Sequence, residues 1–300
     1  MSTCRGTRPD RSGRRLTALI TSVNTVSVPA AHGLTLAAEQ FGDDGNPIVL
    51  MAHGGGQCRH VWAETAVRLA AAGYGVFTLD CRGHGDSDWA DPPRYEPDDF
   101  ARDIEAAARW RLEVDGRPPH YVGASFSGIA GLIAAGLCDQ AAFASLTLVD
   151  VTPTHKVGAL DKARALFART LEEGFATEAE AARAIGAEPG SARLEQMLRR
   201  EADGRWRWRW DPAFAACIHH DERTQRQCKS AAAALSIPVH LIRAGRSDFV
   251  DDEGTAAFLA MTPHLQVTML PDARHVVTGD QDGAYANAIL RFLEDASRCR

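Results

Sequence analysis

Tyr121-Val122-Gly123-Ala124-Ser125-Phe126-Ser127-Gly128 reads as a strand running directly into a helix of small residues, with a serine at the junction. A turn this sharp lifts the serine hydroxyl above the edge of a sheet. It needs small residues two before and two after, because the backbone packs closely on itself. Gly123 meets the first requirement, and Ser127 stands where glycine is usual at the second. Alone, G-x-S-x-S is a weak signal, so its weight depends on what surrounds it.

Working outward, short β-branched runs alternate with amphipathic segments, the pattern of a parallel α/β sheet. Upstream, Thr25–Pro29 and Leu34–Gln40 read as two opening strands joined around His32-Gly33, and Ile48–Ala52 as a continuous apolar, buried strand. A helix is expected over Trp62–Ala72, ending at Gly73, then a strand over Gly75–Leu79. Pro97-Asp98-Asp99 opens a helix to about Glu113, with acidic residues in its first turn. The strand His120–Ala124 leads to a helix over Phe126–Leu137 and a strand over Ser145–Val151. From 152 to 234 the chain turns helical, charged and Ala-rich, with no buried-type strand. The alternation resumes with Val239–Ile242, a helix over Gly254–Met261, Leu265–Leu270, and a last helix over Asp282–Asp295.

A serine hydroxyl needs a base to become a nucleophile, and the base needs an orienting carboxylate. Asp248 follows the strand Val239–Ile242, and His275 follows the strand ending at Leu270. With Ser125, both lie just beyond the C-terminal ends of strands, the edge where sites assemble in an open parallel sheet. Asp150, at the end of Ser145–Val151, is the rival acid, and the order serine, acid, histidine fits either. After Ile48–Ala52 comes His53-Gly54-Gly55-Gly56-Gln57. Such a glycine turn lets backbone N–H groups approach a substrate. With Gly54 beside the substrate, the N–H groups of Gly55 and Phe126 are the candidates to hold an oxyanion. Phosphate-loop fingerprints are absent.

On these residues the sequence resembles the α/β-hydrolase superfamily from about Val26 to Leu293. Asp80-Cys81-Arg82-Gly83-His84-Gly85-Asp86-Ser87 resembles its D-x-R-G-x-G-x-S segment; Asp150-Val151-Thr152-Pro153 and Phe292-Leu293 also fit. The resemblance implies a mostly parallel eight-stranded sheet flanked by helices, formed by 24–151 and 235–297, with an inserted helical cap at 152–234. It implies Ser125 as nucleophile, His275 as general base and acid, and Asp248 as orienter. The expected reaction is cleavage of an ester, lactone or similar acyl bond of a small, mostly apolar substrate, with no metal or organic cofactor. Epoxide hydrolases and haloalkane dehalogenases of this fold carry Asp at the nucleophile position, so Ser125 argues against an alkyl-enzyme ester. Hydrolysis of a C–C bond beside a ketone, a haloperoxidase side activity and a ligand-binding role on the same scaffold stay as alternatives. Arg274 stands where the family usually has glycine, either as a solvated turn residue or facing an anionic group.

The remaining signals are weaker. A net charge of −6 over 300 residues argues against nucleic-acid or anionic-membrane partners. No apolar run nears the ~20 residues that span a bilayer. Seven scattered cysteines without a C-x-x-C pair suggest free thiols and a cytoplasmic protein. Cys58 and Cys81 lie near the presumed site but have no histidine-paired context of their own. His53, His60 and His84 are accounted for by their loops. Residues 1–23, rich in arginine, read as a disordered leader. His219-His220-Asp221 makes a poor metal chelate, because adjacent helical residues diverge. Trp206, Trp208 and Trp210 alternate with arginine, as an extended segment packing its tryptophans into the cap would. Monomer and homodimer are both open.

Overall fold

The computed structural model describes residues 24–154, 161–218, 222–275 and 282–298. The expected leader and the His219–Asp221 cluster lie outside the described residues. An eight-stranded sheet carries the fold, in the order β1-β2-β4-β3-β5-β6-β9-β10. Its strands are β1 (Asn24–Pro29), β2 (Thr35–Phe41), β3 (Ile48–Ala52), β4 (Gly75–Leu79), β5 (His120–Ala124), β6 (Ser145–Val149), β9 (Val239–Ala244) and β10 (Gln266–Leu270). Strand β2 runs antiparallel to both β1 and β4, and the pairs from β4 to β10 are parallel.

Every residue of β3, β4, β5 and β6 is buried. Helices cover both faces of these strands, which is why β3 reads as an unbroken apolar run, while β4, β5 and β6 also bury Thr78, His120, Ser145 and Thr147. On one face, α1 (Ala63–Ala71) and α8 (Asp282–Arg298) meet, with Trp62 edge-on to Tyr285 at 6.4 Å. On the other lie α2 (Pro97–Asp115) and α3 (Phe126–Ile133). A capping box at Glu96 and Asp99 starts α2, and left-handed Gly116 (φ 66°) stops it. The helix expected through Leu137 instead widens into a π-turn over Ala134–Cys138. There Gly136 packs so closely that a Cβ would lie 2.5 Å from the carbonyl of Ala231.

Between β6 and β9 lie α4 (Asp161–Thr170), α5 (Glu178–Ile185), α6 (Ala192–Met197) and α7 (Glu222–Ala234). They are joined by a ribbon that the sequence reading did not include, β7 (Leu198–Arg200) paired with β8 (Trp206–Trp208). Leu198–Arg200 has no strand signature; its partner supplies the pattern. The tryptophans do pack inward: Trp208 and Trp210 are buried with Phe167, Phe175 and Phe214. The Trp208 indole N–H donates to Thr170 Oγ1 at 2.9 Å. Main-chain bonds then join this segment to the sheet domain. Gly85 N–H donates to the Arg209 carbonyl (2.9 Å), and Asp211 N–H to that of Gly83 (2.7 Å).

Asp80–Ser87, between β4 and α2, is a knot of buried polar bonds. The Arg82 guanidinium forks onto Asp103 of α2 through two bonds of 2.5 Å. Asp80 accepts the N–H groups of Arg59 (2.6 Å) and Asp86 (3.0 Å). A Cβ on Gly85 would lie 2.1 Å from Asp80 Oδ2, so only glycine passes there. No described helix is long and apolar enough to cross a membrane.

Candidate active site

Ser125 sits between β5 and α3 with φ 49° and ψ −115°, a conformation an L-residue adopts only under tertiary constraint. The neighbours supply that constraint. A Cβ on Gly123 would lie 2.7 Å from the Ser127 carbonyl oxygen and from the Tyr121 ring. Ser127 serves in place of glycine because its buried hydroxyl donates to the carbonyls of Ala52 (2.9 Å) and Ala124 (3.1 Å). The close approach is made one residue later, where a Cβ on Gly128 would lie 2.6 Å from Val151.

His275 Nε2 lies 3.0 Å from Ser125 Oγ. Its Nδ1 lies 2.8 Å from Oδ2 of Asp150. Asp150 is fully buried at the end of β6, and its Oδ1 accepts the N–H of Ala244 at 3.0 Å. With Asp150 accepting, Nδ1 carries the imidazole proton and Nε2 is free to receive one from the serine. Asp150, and not the Asp248 expected as orienter, is therefore the carboxylate that meets His275. Strand β9 runs on to Ala244, and Asp248 falls on the exposed turn beyond it. That turn presents Phe249 to the histidine instead, stacked on the imidazole with centroids 3.6 Å apart. Asp150 also has positive φ (51°), which turns the chain out of β6 toward His275.

The loop after β3 lies against Ser125: a Cβ on Gly54 would lie 3.5 Å from that of the serine. The Gly54 N–H is engaged by Gln57 Oε1 at 3.2 Å, so Gly54 supplies closeness rather than a donor. Gly55 is exposed and faces Phe126 and Phe214. Phe126 opens α3, where the first N–H groups have no acceptor within the helix.

Two histidines that the sequence reading assigned to loop structure hold this loop. His53 Nδ1–H donates to the Gly54 carbonyl (2.8 Å), while Nε2 accepts from Cys81 N–H (3.0 Å). His84 Nε2 accepts from Gly56 N–H (3.1 Å), while Nδ1–H donates to the Arg82 carbonyl (2.9 Å). Burial lowers the two pKa values, to about 4 for His53 and about 3 for His84. Both rings are thus neutral, as an imidazole that donates and accepts must be. His84 is wedged between Trp210, stacked at 6.1 Å, and Phe214, edge-on at 4.7 Å. Phe214 also meets Phe126 at 5.2 Å, forming an aromatic roof beside the loop. Arg274 is exposed.

The family model for "Alpha/beta hydrolase family" matches residues 49–288, spanning this whole arrangement. The chain belongs to the α/β hydrolase family. As a member it is a hydrolase, and the strand order above is the family's sheet. It is 27% identical over 267 residues to Esterase Rv0045c of Mycobacterium tuberculosis, covering 83% of each chain. A crystal structure of that esterase is similar at a TM-score of 0.70 with 26% identity, over 91% of this chain and 92% of the other. E-2-(acetamidomethylene)succinate hydrolase matches with TM-score 0.76 and 24% identity, over 91% and 100% of the two chains, and shows the shared fold.

Proposed function

We propose that this α/β hydrolase is a serine esterase acting on small, mostly apolar carboxylic esters or related acyl compounds. The observation that carries the reading is the continuous hydrogen-bond line from Ser125 Oγ through His275 to Asp150. His275 Nε2 takes the hydroxyl proton as Ser125 Oγ attacks the carbonyl carbon. The N–H groups of Gly55 and Phe126 hold the oxyanion that forms. Collapse expels the alcohol, protonated by His275, and leaves an acyl-enzyme. A water activated by the same nitrogen then releases the acid. Asp150 keeps the imidazole in the required tautomer and balances its charge when protonated. The aromatic side chains of Phe126 and Phe214 beside Gly55 favour an apolar acyl group. The likeness to a mycobacterial esterase supports the choice of ester over other acyl bonds.

A fluorophosphonate probe tests the reading. Wild type is expected to label at Ser125, Ser125→Ala not at all, and His275→Ala far more slowly. Folded wild type that resists the probe would remove the activated serine. A panel of p-nitrophenyl esters with one vinylogous diketone then separates acyl from C–C cleavage.

A further inference from the structure

A second nucleophile–base–acid array lies outside the triad. Cys58 follows the glycine loop, and its Sγ lies 3.5 Å from Nδ1 of His60. The other ring nitrogen, Nε2, lies 3.0 Å from Oε1 of Glu39 on β2. The lack of a histidine partner expected for Cys58 is thereby corrected. The i, i+2 spacing was visible in sequence, but the carboxylate comes from a distant strand. Bonds to the Cys58 sulfur and the Glu39 carboxylate raise the pKa of His60 to about 10. His60 is thus protonated at neutral pH, and Nδ1–H donates to the sulfur. Cys58 and His60 line a cavity of about 210 Å³, together with Ala192 and Gln196 of α6. Arg59 also lines it. Its buried Nε makes no hydrogen bond among the described residues, although Glu39 Oε1 is 3.5 Å away.

A sulfur beside an imidazole whose other nitrogen is held by a carboxylate has a proton partner in place, the arrangement in which a cysteine acts as a nucleophile. The cavity gives room for a ligand of a few heavy atoms beside it. We propose that Cys58, with His60 as proton partner and Glu39 as orienter, is a covalent modification site for small soft electrophiles of the α,β-unsaturated carbonyl class. Sγ bonds to the β-carbon, and the C=C electron pair moves toward the carbonyl. The α-carbon takes the proton from His60 Nδ1, and the proton of the broken Cys58 S–H bond replaces it on that nitrogen. The thiol adds across the double bond with no leaving group and no change in redox state.

The test is N-ethylmaleimide labelling of the full chain at neutral pH, read for each cysteine by peptide mass spectrometry. Cys138 is exposed and serves as internal reference. Cys58, although buried, is expected to react about tenfold faster than Cys138. His60→Gln should bring it to or below the Cys138 rate, and Glu39→Gln should slow it several-fold. Circular dichroism and an unchanged Cys138 rate check the fold of each variant. Unfolding would raise the Cys58 rate rather than lower it, so the two effects cannot be confused. Cys58 labelling no faster than Cys138, or unmoved by both substitutions, overturns the proposal. Ser125→Ala should leave the labelling unchanged, which separates this site from the triad.

Discussion

Asp150→Asn exchanges a carboxylate for an amide of the same shape, and the surroundings dictate how the amide must turn. The buried N–H of Ala244 needs the acceptor it now finds in Oδ1, so the amide oxygen stays there. The amide NH2 then faces His275 Nδ1 and donates to it. The ring is forced into the tautomer with its proton on Nε2, 3.0 Å from Ser125 Oγ, where the serine proton has to go. Catalysis fails through the wrong tautomer while the fold persists. In serine hydrolases generally such a change costs on the order of 10⁴-fold in kcat, roughly 5 kcal/mol of transition-state stabilisation. Asp248→Asn on the exposed turn should stay within about 0.5 kcal/mol, or roughly twofold. Steady-state hydrolysis of p-nitrophenyl butyrate measures both, with thermal unfolding as the check on the fold. An Asp150→Asn enzyme keeping a tenth of the activity, or a larger loss in Asp248→Asn, would refute the assignment of the acid.

Two further outcomes follow from the loop. His53 and His84 are held neutral, with pKa values of about 4 and about 3, whereas in the unfolded chain each protonates near 6.5. The unfolded state therefore binds more protons below pH 6.5. Their stabilisation is complete above that pH and is lost as pH falls toward 4, by roughly 2 kcal/mol per histidine at pH 5. His60 acts in the opposite sense: its contribution is complete below pH 6.5 and lost as pH rises through about 10. Urea midpoints should thus fall between about pH 7 and 5, and a flat profile would contradict the buried neutral histidines. Phe214→Ala removes the ring that stands 3.1 Å from where a Gly55 Cβ would be. It should cost about 3–5 kcal/mol of stability and shift ester preference toward longer acyl chains several-fold, measured as kcat/KM along a chain-length series. No shift in preference would separate Phe214 from the acyl site.

The sheet was legible because β3 to β6 are buried on both faces, and such strands are short and mostly apolar, with few polar residues between their turns. Their bounds follow directly from Ile48–Ala52, Gly75–Leu79 and His120–Ala124. The placement of Ser125 and His275 was legible because turn chemistry and strand ends are local. The acid was not. Asp150 and Asp248 both follow strands, and which carboxylate turns inward depends on loop conformation: positive φ at Asp150, and a turn after β9 that presents Phe249. Pairings across the sheet were equally silent. Glu39 with His60, and His84 with Gly56, join residues whose closeness is a product of the fold. In the ribbon, the alternating tryptophans announced one strand, while Leu198–Arg200 became its partner without a pattern of its own.

The backbone of Ser125 has a consequence for anyone handling this enzyme. A φ of 49° with ψ of −115° has no local support, because an isolated serine avoids it. It is imposed by Gly123, Ser127 and Gly128 pressing together, contacts that exist only when β5, α3 and β6 are fully seated. A partly loosened preparation would keep most of its helical signal, yet its serine would relax to an ordinary geometry out of line with His275. Turnover is therefore a stricter gauge of sample integrity than any spectrum of secondary structure. Activity should disappear first on heating, ahead of the main unfolding transition.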